Sequence, residues 1–377
     1  MIVAGSIIIF FYTLTLGMIY IGARSVRIAE LSQNKMKTRF SILIPFRNEE
    51  ENLKSLLDSL KGQSYPVHLF ELIFINDEST DNSEQIIRST LHDSGIQFVI
   101  FANERSSASP KKDAITKAVK NAQYEWIMTT DADCSLHTEI LTFYDQYIQN
   151  KNPYMIVGSV GIDKGKGLEY HFQQYEHLAL QTLTAGGFGL KRPFLCNGAN
   201  LAYKKDLFLE LEGYMGNDHI SSGDDIFLFE KFRKKYPKKV HYIRSEKAIV
   251  RTVPLSSWKA LIEQRVRWAS KISSQKNLIS KWVGLCIFIA NIWLIVGLIC
   301  CFFIPDQWVN YLIVLFYKSL VDLIIISSSA LFLSVRINMG TFLINTLLYP
   351  YVSVWIAFRS LKGTYRWKDR QYSKTLI

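Results

Sequence analysis

Apolar residues in this chain gather toward its two ends. Residues 2–22 run almost unbroken from Ile2 through Phe10, Phe11 and Leu16 to Ile21, and three further apolar segments fall between 282 and 358. A helix needs about 20 apolar residues to cross a hydrocarbon core, whereas the stretch between the two ends reads as ordinary soluble protein. The pattern therefore predicts membrane helices on both sides of one globular domain. Five segments follow: an anchor at 1–23, a globular domain at 38–255, an amphipathic interfacial helix at 256–280, membrane helices at 281–358 and a basic tail at 359–377. A cleaved signal peptide carries positive charge ahead of its apolar run and small residues after it. Here Arg24, Arg27, Lys35, Lys37 and Arg39 come after the run instead. The expectation is a multi-pass protein of the cell (inner) membrane, with its amino terminus outside and its globular domain facing the cytoplasm.

Lys plus Arg outnumber Asp plus Glu by 44 to 33, a formal charge of +11. Much of the excess flanks the apolar segments, as cytoplasmic membrane flanks do. No zinc-finger spacing, basic zipper or aromatic RNA-binding motif accompanies it, so a nucleic-acid partner is not expected. The five cysteines (Cys134, Cys196, Cys286, Cys300, Cys301) show no paired spacing, which supports neither a disulfide framework nor a zinc site.

From Arg39 onward, strands alternate with helices. Strands are predicted over 40–44, 72–75, 97–101 and 124–129, and helices over 50–61, after Asp81 as cap, and over 111–122. That rhythm makes a mostly parallel sheet with helices on its faces, and ligands of such sheets lie beyond the carboxyl ends of the strands. Pro45, Asp77 and Asp131 all fall there and are expected to share one cleft. The fourth strand ends in Thr130-Asp131-Ala132-Asp133. On extended backbone the two carboxylates would point to the same side, and hard oxygen ligands suit a divalent cation that also holds phosphates. The plainer possibility is a surface turn or a helix cap. Neither a Gly-x-x-x-x-Gly-Lys nor a Gly-x-Gly-x-x-Gly follows the first strand, which removes the main support for ordinary ATPase and dinucleotide readings.

Five motifs occur in order: Ile44-Pro45-Phe46-Arg47-Asn48-Glu49-Glu50, Asn76-Asp77-Glu78-Ser79-Thr80-Asp81, Pro110-Lys111-Lys112-Asp113, Thr130-Asp131-Ala132-Asp133 and Gln264-Arg265-Val266-Arg267-Trp268. Together they resemble the inverting, membrane-bound glycosyltransferases of family two, across roughly residues 38–270. The resemblance implies a Rossmann-like A-type α/β domain plus helical transmembrane segments. It implies that Pro45, Arg47 and Glu49 line a nucleoside pocket, that Asp77 contacts the base and that Lys111 lies near the nucleotide. Asp131 would serve both nucleotide and metal, with Asp133 reaching a Mg2+- or Mn2+-bound diphosphate. Pro110 stands where the family often has Gly.

Cys196, Asn197 and Gly198, in a stretch read as strand and turn, fall on the acceptor side of the family's cleft. An ordinary tight turn fits that stretch equally well. Gly223-Asp224-Asp225 opens an apolar helix, where capping alone would explain two acids. Matched to the family's Glu-Asp pair, Asp225 takes the general-base role and Asp224 the place of the Glu. Gln264, Arg267 and Trp268 lie at spacings of three and four on an amphipathic helix expected over 257–274. There Arg267 would neutralise the departing diphosphate and Trp268 would stack on a sugar, unless the helix simply binds anionic lipid. A further helix at 168–184 carries an aromatic stripe suited either to a core or to an interface with lipid.

The last membrane segment, 341–358, is short and interrupted by Pro350, and the one before it carries Lys318 and Asp322 one turn apart. Three crossings would put the tail outside, whereas its net charge of +5 favours the inside. Its Trp367-Lys368-Asp369-Arg370 resembles a Trp-Lys-Gly-Arg ending of some lipid-directed members. The expected activity is sugar transfer from a nucleotide-sugar donor, UDP-linked, to a lipid or lipid-linked acceptor, with protein partners left open. Two other activities fit the same residues, a processive polysaccharide synthase and a non-catalytic nucleotide-sugar-binding membrane protein.

Overall fold

The computed structural model describes residues 2–29, 34–218, 220, 222–271, 277–361, 364–367 and 370–373. In chain order it begins with α1 (Ile2–Ser25), β1 (Phe40–Phe46), α2 (Leu53–Lys61), β2 (Phe70–Asn76), α3 (Ser83–Leu91), β3 (Gln97–Ala102), α4 (Pro110–Asn121) and β4 (Trp126–Thr129). Next come β5 (Cys134–Leu136), α5 (Ile140–Lys151), β6 (Met155–Gly158), β7 (Val160–Ile162), α6 (Leu168–Gly189), β8 (Leu201–Lys204) and α7 (Lys205–Glu210). The remainder is α8 (Asp224–Lys235), β9 (Val240–Ile243), β10 (Val250–Thr252), α9 (Trp258–Ser270), α10 (Leu278–Phe303), α11 (Trp308–Phe332), α12 (Met339–Leu361), β11 (Thr364–Trp367) and β12 (Arg370–Ser373). These elements form two compact units: 27–163 with 196–253 and the tail from 366, and 1–26 with 164–195 and 254–365.

The first unit is built on a seven-stranded sheet of order β3-β2-β1-β4-β8-β6-β9. Pairing is parallel from β3 through β4 and between β6 and β9; only β8 runs against its neighbours. The apolar runs of β1 and β2 are continuous because both faces of the sheet are covered. Phe40, Ile42, Ile44, Leu72 and Phe74 share a buried cluster with Leu53, Leu56, Leu57 and Leu60 of α2 and with Ile87 and Leu91 of α3. The alternating residues Leu43, Ile73 and Ile75 are equally buried, and α4 packs on β1 and β2 with Ala114, Ile115, Ala118 and Val119 buried. The mostly parallel α/β architecture expected from the sequence is the one observed.

Several boundaries move. α2 starts at Leu53 rather than Glu50, because residues 50–52 form a turn. Asn82, not Asp81, precedes α3; Asp81 instead accepts the Ser83 and Glu50 N–H groups at 3.1 and 3.0 Å. The apolar stretch 154–160 divides at Ser159 into β6 of the large sheet and β7 of a second sheet, β5-β10-β7. The 196–200 stretch supplies a 3-10 turn, Gly198–Asn200, ahead of β8. Residues 272–274 of the expected amphipathic helix, and Lys368 and Asp369 of the tail motif, lie outside the described residues.

The second unit is helical. α1, α10, α12 and the 305–332 segment containing α11 are each long and apolar enough to cross a membrane. α12 is longer than the sequence suggested: 23 residues run through Pro350, about 34 Å at 1.5 Å per residue. Proline removes the N–H that would bond the Thr346 carbonyl one turn back; its own carbonyl accepts from Ser353 Oγ at 3.0 Å. The aromatic-rich α6 packs against α1 and α11. α1 and α6 cross so closely that a Cβ on Gly189 would lie 1.8 Å from the Gly22 carbonyl oxygen, and one on Gly186 2.4 Å from that of Ile19. Only glycine permits that backbone approach. Lys318, almost fully buried, pairs with Asp322 at 2.7 Å, and Tyr12 also donates to Asp322.

Candidate active site

The carboxyl ends of β1, β2, β3 and β4 open on one edge of the large sheet. The loops leaving β1 and β2 are laced together. Arg47 Nη1 donates to the carbonyls of Asp77 at 2.7 Å and Glu78 at 2.9 Å, Asn48 N–H to Ser79 Oγ at 3.1 Å, and Thr80 N–H to Asn48 Oδ1 at 2.8 Å. Asn48 and Glu78 both hold positive φ, 48° and 60°, a conformation costly for residues with a Cβ and kept where surrounding bonds over-determine it. Pro45 sits within β1 opposite Ile75. The Glu49 carboxylate accepts Asn52 Nδ2 at 2.8 Å.

Asp77 is the best-buried carboxylate of this edge, its side chain 8% exposed. Oδ1 accepts from Asn103 Nδ2 at 2.8 Å and Arg105 Nε at 3.4 Å; Oδ2 accepts from Arg370 Nη1 at 2.5 Å. Sequence reasoning assigned none of these three donors to Asp77 and named Arg370 only within the tail motif. Asn103 and Arg105 were within reach of it, since they follow β3 as Asp77 follows β2. Asn103 Nδ2 also donates to the Pro110 carbonyl at 3.0 Å, which ties the Asp77 environment to the start of α4. Pro110 occupies the first turn of that helix, where its missing N–H costs nothing.

Lys111, one residue on, joins the acids. Its Nζ lies 2.6 Å from Asp131 Oδ1 and 3.4 Å from Asp224 Oδ2. Burial works against its charge, but Asp131, then Asp224 and Asp225, outweigh that and hold the ammonium above the usual lysine range. The neighbouring Lys112 turns the other way; fully buried, it donates to the carbonyls of Asn217 and Ile220 at 2.6 and 2.7 Å.

The expectation that Asp131 and Asp133 share a side through extended backbone is corrected. Thr130 N–H still bonds the Leu43 carbonyl of β1, but Cys134 N–H closes on the Asp131 carbonyl at 3.1 Å. The pair therefore sits on a tight turn between β4 and β5, so the turn alternative describes the backbone and the helix-cap alternative does not. The turn still brings the two charges together. Burial, then Asp131 and Glu49, push the Asp133 carboxyl up to about 6, with the Cys134 thiol and Lys111 pulling it down. Carboxylates crowded by other carboxylates make a region short of positive charge, which fits a divalent cation. Among the described residues no set of three or more His, Cys, Asp or Glu is arranged to hold a metal; phosphate oxygens and water would have to complete the shell.

Gly198 lies beside the acidic pair at the start of α8: a Cβ there would come 3.2 Å from Asp225 Cβ and 3.4 Å from Asp224 Oδ2. Its carbonyl accepts Thr129 Oγ1 at 2.7 Å, which locks this turn to the end of β4. The Asn197 side chain accepts Ala199 N–H. Burial raises the Tyr214 phenol first, with Asp224, Asp225 and Cys196 adding to it, so Cys196 belongs to the same surroundings. Asp131, Asp133, Asp224, Asp225, Lys111 and Gly198 are thus brought together. Gln264, Arg267 and Trp268 belong to the helical unit, on α9. There Arg265, buried and unremarked in the sequence, donates to Gln264 Oε1 and to Glu176 at 2.5 Å and covers the Trp268 ring at 4.3 Å.

Residues 41–211 match the model of a family described as glycosyl transferase family 2. The chain carries a family 2 glycosyltransferase domain. The chain is 26% identical over 241 residues to a poly-beta-1,6-N-acetyl-D-glucosamine synthase of Staphylococcus epidermidis, covering 63% of this chain and 55% of that one. A poly(ribitol-phosphate) beta-N-acetylglucosaminyltransferase of Staphylococcus aureus is 27% identical over 131 residues, 34% of this chain and 22% of that one. The chain thus spans at most about half the length of these relatives. A mannosyltransferase of Pyrobaculum calidifontis, solved with GDP-Man and Mn2+, superposes with a TM-score of 0.53 at 15% identity over 95% of this chain and 98% of its own. That likeness is one of fold: the A-type glycosyltransferase fold with appended apolar helices.

Proposed function

We propose that the protein is a membrane-bound inverting glycosyltransferase that moves a sugar from a nucleotide-diphosphate sugar, UDP-linked, to a lipid or lipid-linked acceptor. The observation that carries this reading is the gathering of Asp131, Asp133, Asp224 and Asp225 about Lys111 at the carboxyl edge of the sheet. Asp77 reads the base and Pro45, Arg47 and Glu49 border the nucleoside. Asp131 and Asp133 hold Mg2+ or Mn2+, which when bound supplies charge stabilisation for the departing diphosphate. Lys111 holds the acidic side chains in place around the donor. Asp225 removes the proton of the acceptor hydroxyl, which attacks the anomeric carbon from the face opposite the diphosphate. Asp224, Cys196, Asn197 and Gly198 shape the acceptor side. The Gln264, Arg267 and Trp268 motif takes its own role, Arg267 neutralising the departing diphosphate and Trp268 stacking on a sugar. Four described helices apolar enough to cross a membrane support a membrane location and a lipid-borne acceptor, and the basic residues that follow the first, such as Arg24 and Arg27, support a cytoplasmic face for the catalytic domain.

Purified protein incubated with radiolabelled UDP-sugars and membrane lipids tests the reading: a single-sugar glycolipid is expected, and no transfer to any lipid fraction would refute it. Likeness to a poly-beta-1,6-N-acetyl-D-glucosamine synthase favours a second reading, processive polymer synthesis, which predicts a ladder or long polymer in the same assay.

A further inference from the structure

Arg370 stands 293 positions from Asp77 along the chain, yet it makes the shortest contact to that carboxylate. It opens β12, which pairs with β11 in a two-stranded sheet. Besides Nη1 to Asp77 Oδ2 at 2.5 Å, its Nη2 reaches the Asp77 carbonyl at 3.3 Å and Glu78 Oε2 at 2.8 Å. The guanidinium therefore grips side chain, backbone and the next residue at once. Both ends of the contact are withdrawn from solvent, with side chains 8% and 16% exposed.

A carboxylate has about four acceptor positions on its two oxygens. Asn103, Arg105 and Arg370 occupy three of them. The spare position can only accept, and the rigid fork of an arginine fixes its direction as a single point charge would not. Such a group favours a base edge that presents an N–H, as uracil does at N3, and repels one that presents a bare nitrogen lone pair, as cytosine does there. Without Arg370, Oδ2 would be unclaimed and the carboxylate free to turn about the Asn103–Arg105 side.

We propose that Arg370 is a positioning residue for Asp77, and that the carboxyl-terminal hairpin thereby takes part in selecting the donor's nucleobase. The inference rests on the proposed role of Asp77 in contacting the base. Calorimetric titration of the full chain in detergent with UDP and with CDP tests it, on native protein, R370A, R370K and D77N, each checked for a native unfolding midpoint. R370A is expected to weaken UDP about tenfold while CDP changes less than about twofold, and R370K to restore part of the preference, since a buried acceptor discriminates through the group it pairs with. Should R370A fail to fold, R370K alone carries the test through a narrowed ratio. A UDP/CDP ratio unchanged in R370A or R370K but collapsed in D77N would overturn the role of Arg370 and leave the base contact standing. Tighter UDP binding in R370A would make the hairpin a plug and overturn it equally. A ratio indifferent to D77N would remove the base contact itself.

Discussion

Replacing Lys111 with methionine keeps the length of the side chain and deletes the cation that pairs with both Asp131 and Asp224. A hydrogen bond to a charged group contributes about 1.5–3 kcal/mol net. The Lys111 side chain is 23% exposed and Asp131 37%, so solvent screening places the loss toward about 1–2 kcal/mol. For a domain of this size that is roughly 2–8 °C in unfolding midpoint. The loss carries a pH signature. Asp133 titrates at about 6 in the fold, above the usual aspartate value, so its ionisation costs the folded state stability as pH rises through that region. Lys111 is one of the groups that lower this carboxyl; without it, the cost grows at pH 8 and is relieved at pH 5.5, where the carboxyl holds its proton. Thermal unfolding of both proteins in detergent at the two pH values measures the difference. A gap between native and K111M as wide at pH 5.5 as at pH 8, or no gap at all, would refute the idea that Lys111 acts as counter-charge to this acidic cluster.

Asp225→Asn should lower sugar transfer by about 10²–10⁴-fold, the usual worth of a general base, with UDP affinity within about twofold; unchanged turnover would show that another group takes the proton. Asp133→Ala should weaken Mn2+ binding by at least about tenfold. Native Mn2+ affinity should fall as pH drops through about 6, since the ligand must be deprotonated to bind, and that inflection should vanish in the variant; a retained inflection in a fluorescence titration would point to a different ligand. Gly189→Val drives a methyl-bearing carbon into the Gly22 carbonyl and should cost at least about 1–3 kcal/mol, seen as a lower yield of folded protein after detergent extraction. Gly17→Val, which meets nothing within 4 Å, serves as the control that should behave as native.

Much of the fold was legible because its determinants are local. Strands buried on both faces leave unbroken apolar runs such as Phe40–Ile44, and Asp77 and Asp131 follow the carboxyl ends of β2 and β4, whereas β1 runs on through Pro45 to Phe46. Helix spacing at Leu53, Leu56, Leu57 and Leu60 did the same for α2. What escaped was set by closure rather than by pattern. The tight turn at 131–134 depends on a single backbone bond, and a pair of acids separated by one residue suits a turn as well as a strand. The second sheet consists of three-residue strands, too short to leave a periodicity. Helix α12 continues through Pro350 although the ring removes one backbone N–H, so reading the proline as a break shortened the segment. Arg265 was passed over because its neighbours carry the motif, although it is the residue that braces Gln264 and Trp268.

The bond between Arg370 and Asp77 also bears on the membrane location proposed above. The chain leaves the sheet unit after Val253, passes through α10, α11 and α12, and returns to that unit at Arg366. A polypeptide that ends on the side of a bilayer from which it departed has traversed it an even number of times. If the proposed membrane location holds, the seat of the Arg370 guanidinium 2.5 Å from the Asp77 carboxylate requires an even number of full traverses between Val253 and Arg370.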